Sequence, residues 1–415
     1  MIDYSHAPRH DYFCIDARSF YASCEMARLG LDPDKTFLVV AGDLKRPGSI
    51  ILAASPRAKE VYGISTQTRL FQVPKHIHIV EANMEYYLEV SVGITRLLST
   101  FVSMEDIFPY SIDESFLNLT PYRRLYGEPR EIAEKLRTAI WQSYGIRVAI
   151  GVGDNPFLSK VVMDRYGKKS GYAECRYEDV PRLIWPLEVQ SVWGIGEATA
   201  LKLRRIGIYR MEQLAKAPLS LIRKKFGSVG EMHYWHAWGI DYSNLKNNGG
   251  SEAKSFGHSI TLLRDYHEKK EILLVVLEIT EEVCRRARRA NRSGKTIHLY
   301  IGYSREEQRR SLSKSFSLSY HTNLTADIYR VCKYIFENHY TGGAVRQVGV
   351  SLTNLASDDF LQLDLFKNNE KQLKLDRIID TIRDKFGFGA LLRASSYTKG
   401  GIMVKRVNQI GGHKR

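Results

Sequence analysis

Cysteine is scarce and scattered in this sequence: five residues, Cys14, Cys24, Cys175, Cys284 and Cys332, with no C-x-x-C pair among them. That excludes a disulfide framework and the common zinc knuckles, and predicts reduced thiols in a cytoplasm. Long apolar runs are missing too. The longest, Ile272 to Leu277, is far short of a membrane span, and no charged-then-apolar leader opens the chain. These absences predict a cytoplasmic protein with no membrane partner. The pairs His76/His78 and His233/His236 have ligand spacing but no matching cysteine or carboxylate, and read as incidental.

What is present is an excess of positive charge, 61 Lys and Arg against 46 Asp and Glu, for a net +15. Such an excess attracts polyanions, of which nucleic acid is the commonest. The length of 415 residues suits several domains rather than one core.

Periodicity divides the chain. Tyr12 to Asp16 reads as a short strand ending in an acid, and Met84, Tyr87, Leu88, Ile94, Leu98 and Phe101 recur at helical spacing. Strands follow at 107–112 and 115–119, then a helix opened by Pro129 and a strand over 147–152. This β-α-β-β-α-β order predicts one sheet with helices on one face. Residues 23–83 interrupt it as an insertion with strands of their own near Phe37–Val40 and Ile50–Ala53. Residues 178–240 read as short helices, and 241–253 as a polar linker. From 254 to 357 the β-α-β-β-α-β order is predicted a second time, with no shared motif. The end of the chain holds one amphipathic helix (Leu375, Ile378, Ile379, Ile382) and a Gly- and Lys-rich, disordered close.

The chemical signal is acidic. Asp16 closes the first strand, and Asp113 and Glu114 sit where two strands meet. In the predicted sheet the first and third strands are neighbours, so three carboxylates converge if the chain turns at Asp113. Such a cluster calls for hard cations, two Mg²⁺ or alternatively Mn²⁺. Two ions ~3.5–4 Å apart clamp the attacking and leaving oxygens of a phosphoryl displacement.

The run from Ile15 to Glu25, with Phe20-Tyr21-Ala22-Ser23-Cys24, and the run Ser111 to Leu117 resemble the two acidic motifs of Y-family translesion DNA polymerases. Within that family the chain is most similar to the UmuC-like branch and its Gram-positive, UvrX-like members. The likeness runs in order over residues 11–366. It implies an α+β, right-hand polymerase. The catalytic palm, ferredoxin-like, would be 1–22 and 84–177; the fingers 23–83; a helical thumb 178–240; the little finger 254–357; and the clamp-binding motif with a tail 358–415. By the same resemblance Asp16, Asp113 and Glu114 are catalytic and hold metal, with the Ala17 carbonyl as a backbone ligand. Tyr21 is the steric gate beneath the sugar of an incoming dNTP, and Arg57, Lys59 and Lys168 meet its triphosphate. Lys160, on the helix before Lys168, is read as a DNA contact. Ser55-Pro56 replaces a fingers tyrosine of some relatives, and one extra residue lies between Lys59 and Gly63. Ile50 and Leu52 fall where the family covers the templating base.

Val192 to Ala200 looks like a helix-hairpin-helix, with Gly194 and Gly196 in the turn and Lys202, Arg204 and Arg205 nearby. Such a turn grips the phosphates of primer-template DNA without reading bases. The run Arg285 to Arg289 reads either as a DNA contact or as a solvated helix face. Gln362, Leu363, Asp364, Leu365 and Phe366 form a Q-L-x-L-F, similar to the peptide that binds the bacterial sliding clamp. An accessory UmuD-like subunit or a recombinase is a further partner expected in this branch. The alternative reading is a non-catalytic regulator that binds DNA and clamp. A proofreading replicative enzyme is disfavoured, since no D-x-E pair marks an exonuclease near the start.

Overall fold

The computed structural model describes residues 4–5, 7–243, 245, 253–358 and 369–415. The chain divides into two compact units, Met1–Ser251 with His413–Arg415, and Glu252–Gly412.

The first unit is built around β1, Tyr12–Ala17, whose Phe13, Cys14 and Ile15 are all buried. A strand covered on both faces reads as a continuous apolar run, and this one does until Asp16. Helix α1 is Phe20–Arg28. The insertion that follows forms its own sheet from β2 (Leu38–Ala41), β3 (Ile51–Ala54) and β4 (His78–Glu81), in the order β3-β2-β4. Between β3 and β4 lies α2, Pro56–Tyr62, opened by Ser55 and closed at Gly63 with φ 63°.

The main sheet resumes after α3 (Met84–Leu98) with β5 (Ile107–Pro109) and β6 (Glu114–Asn118). Then come α4 (Pro129–Tyr144), β7 (Val148–Gly153), α5 (Pro156–Val162) and β8 (Tyr172–Cys175). The strand order is β5-β6-β1-β7-β8. The first four strands are antiparallel in the predicted arrangement, with β1 between β6 and β7. The fifth, β8, is an addition running parallel to β7.

Residues 177–240 are helical, with α6 (Glu197–Arg204), α7 (Met211–Lys216) and α8 (Leu219–Ala237), the last broken at Gly227. They share a core of Ile195, Leu203, Met211, Leu214 and Ile222 with Phe157 and Val161 of α5. The basic end of the chain is tied down rather than disordered. Lys414 pairs with Glu81 at 2.5 Å and Arg415 with Glu85 at 2.8 Å.

The second unit has β9 (Ser255–Tyr266), α9 (Lys269–Arg289), β10 (Arg292–Tyr303), β11 (Leu312–Thr322), α10 (Thr325–His339) and β12 (Val345–Ser357). The order of elements is the predicted one, but the sheet is not a repeat of the first. Its strands lie β11-β10-β12-β9, so the opening strand is at an edge instead of the centre. Both helices pack on the sheet through Ile272, Val276, Ile279, Ile328 and Phe336.

The amphipathic helix of the tail, α11 (Asn369–Phe386), packs with charged groups beside Leu373 on its inward side. Asp376 and Asp380 reach the Arg288 guanidinium at 3.3 and 2.6 Å, and Arg383 reaches Glu281 at 3.1 Å. Leu375, Ile378 and Phe386 face solvent. Arg285, which pairs with Glu282 and Asp384, and Arg286, which pairs with Glu282, are engaged as well. Arg285 and Arg288 are thus turned inward as counter-ions within the unit, whereas Arg286 and Arg289 are exposed, as a solvated helix face would be.

Candidate active site

Asp16 and Glu114 are register partners across β1 and β6. The Tyr110 and Ser111 N–H groups both donate to the Glu114 carbonyl, at 2.8 and 3.0 Å, and the Ala17 N–H donates to the Asp113 carbonyl at 2.8 Å. Asp113 thus stands in the reversal, outside the strand. It escapes the alternation that would aim it away from its neighbour. Its side chain accepts from the Ser111 hydroxyl at 2.6 Å.

Two lysines complete the cluster. Lys160 Nζ lies 2.6 Å from Glu114 Oε1 and 3.1 Å from Asp164; Lys168 Nζ lies 3.1 Å from Asp16 and 2.8 Å from Asp164. Burial works against both ammonium charges, yet the surrounding carboxylates, with the Cys14 thiol beside Lys160, outweigh it and raise both pKa values. Burial raises the Asp16 pKa, with Lys168 opposing.

Local sequence explains how Lys160 gets there. Asn155 caps α5 by accepting from the Leu158 N–H, and Pro156 supplies the fixed first turn. On β7, a Cβ at Gly151 would stand 2.1 Å from the Ser159 carbonyl oxygen, and one at Gly153 2.6 Å from the Ser159 nitrogen. Only glycine lets α5 press this closely onto the sheet. A π-helical turn, Met163–Gly167, then widens the chain before Lys168 and leaves Asp164 four residues from each lysine. The expected DNA contact by Lys160 is thereby overturned, since its side chain is only 7% exposed and bound to acids.

Among the described residues, no three carboxylate, imidazole or thiol groups stand close enough to hold an ion as arranged. The lysines meet charge that the sequence assigned to cations. The donor set itself, anionic and all oxygen, is the chemistry a hard divalent ion takes.

Tyr21 flanks the acids. Its ring stacks on Tyr87, and burial followed by the Asp113 charge raises its pKa. Tyr87 is held in turn by Glu25, to which its hydroxyl donates at 2.8 Å. Lys59 donates to the Ser19 hydroxyl at 2.8 Å; burial and then Lys168 lower its pKa, so it belongs to the same cluster. Arg57 turns aside to Glu60 at 3.0 Å. Ser55 is fully buried and structural: its hydroxyl donates to the Thr36 carbonyl and accepts from the Ala58 N–H. Leu52 is half-buried on β3.

In the helical segment Gly194 has φ 92°, which favours glycine, whereas Gly196 caps α6 with φ −74° and open space around it. Lys202 is exposed; Arg204 is drawn to Gln190 at 2.9 Å and Glu188 at 3.6 Å. Trp193, just before the turn, packs on the main sheet against Phe116 and Tyr110. The Q-L-x-L-F residues, Gln362 to Phe366, lie outside the described residues. Among those described, no helix is long and apolar enough to cross a membrane.

Comparison with known proteins agrees with this geometry. Residues 15–164 match the impB/mucB/samB family, 177–208 its HHH motif and 253–365 its C-terminal domain. UvrX of Bacillus subtilis (strain 168), named for UV-damage repair, is 44% identical over the full length of both chains. "DNA polymerase IV 2" of Halalkalibacterium halodurans is 37% identical over 97% of this chain and 98% of its own. "DNA polymerase IV 2" of Bacillus subtilis is 36% identical over the same shares. The chain belongs to the impB/mucB/samB family, the UmuC-like Y-family of DNA-directed DNA polymerases.

Proposed function

We propose that this protein copies damaged DNA, joining dNTPs to a primer 3′-hydroxyl opposite lesions as part of damage tolerance. The observation that carries the reading is the register pairing of Asp16 with Glu114, with Asp113 in the adjoining turn and Tyr21 beside them.

On this reading the main sheet is the palm, residues 23–83 the fingers, 178–240 the thumb and 254–357 the little finger. Asp16, Asp113, Glu114 and the Ala17 carbonyl would hold Mg²⁺, which supplies a lowered pKa at the primer hydroxyl and charge neutralisation at the departing pyrophosphate. Lys168 is about half exposed, so it can leave the acids for the phosphates of a bound nucleotide. Lys59 stands beside it for the same task. The Tyr21 ring occupies the space a ribose 2′-hydroxyl would need. Gly194 and Lys202 serve DNA phosphates through the helix-hairpin-helix. Gln362, Leu363, Leu365 and Phe366 would tether the enzyme to the bacterial sliding clamp, raising its effective concentration at the primer.

Primer extension with purified protein, Mg²⁺ and dNTPs on intact and abasic templates tests this. Insertion opposite the abasic site is the expected result. Extension that always halts one base before it, with and without clamp, would remove lesion bypass from the account.

A further inference from the structure

Glu114 has two carboxylate oxygens, and the protein occupies one. Oε1 accepts from Lys160 Nζ at 2.6 Å and from the Cys14 thiol at 3.1 Å. Among the described residues, hydrogen bonds and ion pairs to this side chain fall on Oε1 alone.

The two lysines of the cluster differ in freedom. Lys160 sits on a helix whose seven residues are all buried, and its Nζ is shared between Glu114 and Asp164. Lys168 is 43% exposed, on the short helix beyond the π-turn. One ammonium is fixed and the other can leave. Asp164 touches both, and so braces the fixed one.

We propose that Lys160 is a positioning residue: a permanent cation, braced by Asp164, that turns Glu114 so that one oxygen is held and the other is presented to a divalent ion. This rests on the reading of Asp16, Asp113 and Glu114 as the metal-holding acids. Charge alone argues the opposite direction. A lysine beside the acids repels a divalent cation, so its loss would tighten binding if neutralisation were its only role. Orientation argues for weaker binding, because partners behind a ligand typically contribute 10–100-fold to metal affinity. The sign of the change therefore separates the two.

The test uses the full chain without DNA and follows Mn²⁺ binding by the electron paramagnetic resonance signal of the free ion. Lys160→Met should weaken binding about 10- to 100-fold. Asp164→Asn, which leaves Lys160 in place but unbraced, should weaken it by less. Binding by Lys160→Met that equals or exceeds the wild type overturns the proposal. Where circular dichroism shows Lys160→Met to be misfolded, Lys160→Gln decides by the same sign: weaker binding supports the proposal, and equal or tighter binding overturns it. Asp113→Asn/Glu114→Gln is measured alongside. Wild-type affinity in that variant would show that the acids do not hold metal, a failure of the underlying reading and separate from any change at Lys160.

Discussion

Tyr21 stacks on Tyr87 with ring centroids 4.6 Å apart and planes 17° from parallel. Tyr87 is fully buried and anchored through Glu25, which is in turn bound by Arg28 at 2.6 Å. The Tyr21 ring therefore leans on a buried wall. Tyr21→Ala should raise ribonucleotide insertion relative to deoxynucleotide by about 10²-fold, the scale of discrimination by pocket shape. Tyr87→Ala should raise it less, by withdrawing the backing. The measurement is kcat/KM for one rNTP and its dNTP on the same primer-template; equal ratios in wild type and Tyr21→Ala would remove Tyr21 from this role.

Acid should loosen the helical segment through His233. Its ring is 2% exposed, both ring nitrogens lack a hydrogen-bond partner among the described residues, and burial with neighbouring His236 lowers its pKa from 6.5 to about 4. The folded state keeps the ring neutral while the unfolded chain takes up a proton. This contribution to stability is complete above pH 6.5 and is lost as pH falls toward 4. The loss amounts to roughly 3 kcal/mol. Melting temperatures of the wild type should drop between pH 7 and 4.5 more steeply than those of His233→Leu. Parallel curves would show that His233 is not responsible.

Helix α11 should be an integral part of the second unit. Arg288 is 6% exposed and is held by Asp376 and Asp380. Removing both partners leaves a buried charge short of compensation, which typically costs about 3 kcal/mol. Asp376→Ala/Asp380→Ala should shift the urea transition of this unit to lower concentration and speed tryptic cleavage in 369–412. An unchanged transition would mean that α11 contributes nothing to the unit's stability.

Much of this was legible because short elements carried clear patterns. Tyr12 to Asp16 is an apolar run with an acid at its end, and Asp113-Glu114 lies between two strand-like runs, so the central pairing followed from strand order alone. Other features left weaker traces. His78–Glu81 is half exposed and joins β2 in parallel, so it lacks the alternation of a one-sided strand. The π-turn shifts the helical phase, but only Lys168–Ser170 follow it in the helix, too few to show the shift in the sequence. Lys160 resembled other surface lysines, although its neighbours Phe157, Leu158, Val161 and Val162 surround it on every side of a short helix. That is the mark of full burial. The arginine run is ambiguous in sequence because, besides the nearby Glu282, its partners Asp376, Asp380 and Asp384 lie far along the chain. The spacing of Asp376, Asp380 and Asp384, one helical turn apart, was the available signal.

On the proposed function, Asp113 and Glu114 carry the catalysis. Single-nucleotide insertion opposite each template base, with Mg²⁺, compares the wild type with Asp113→Asn/Glu114→Gln, substitutions that keep shape and remove charge. Base-directed insertion by the wild type is expected, with a loss of at least about 10³-fold in the variant, as when transition-state charge stabilisation is withdrawn. Insertion by the variant at the wild-type rate would contradict it.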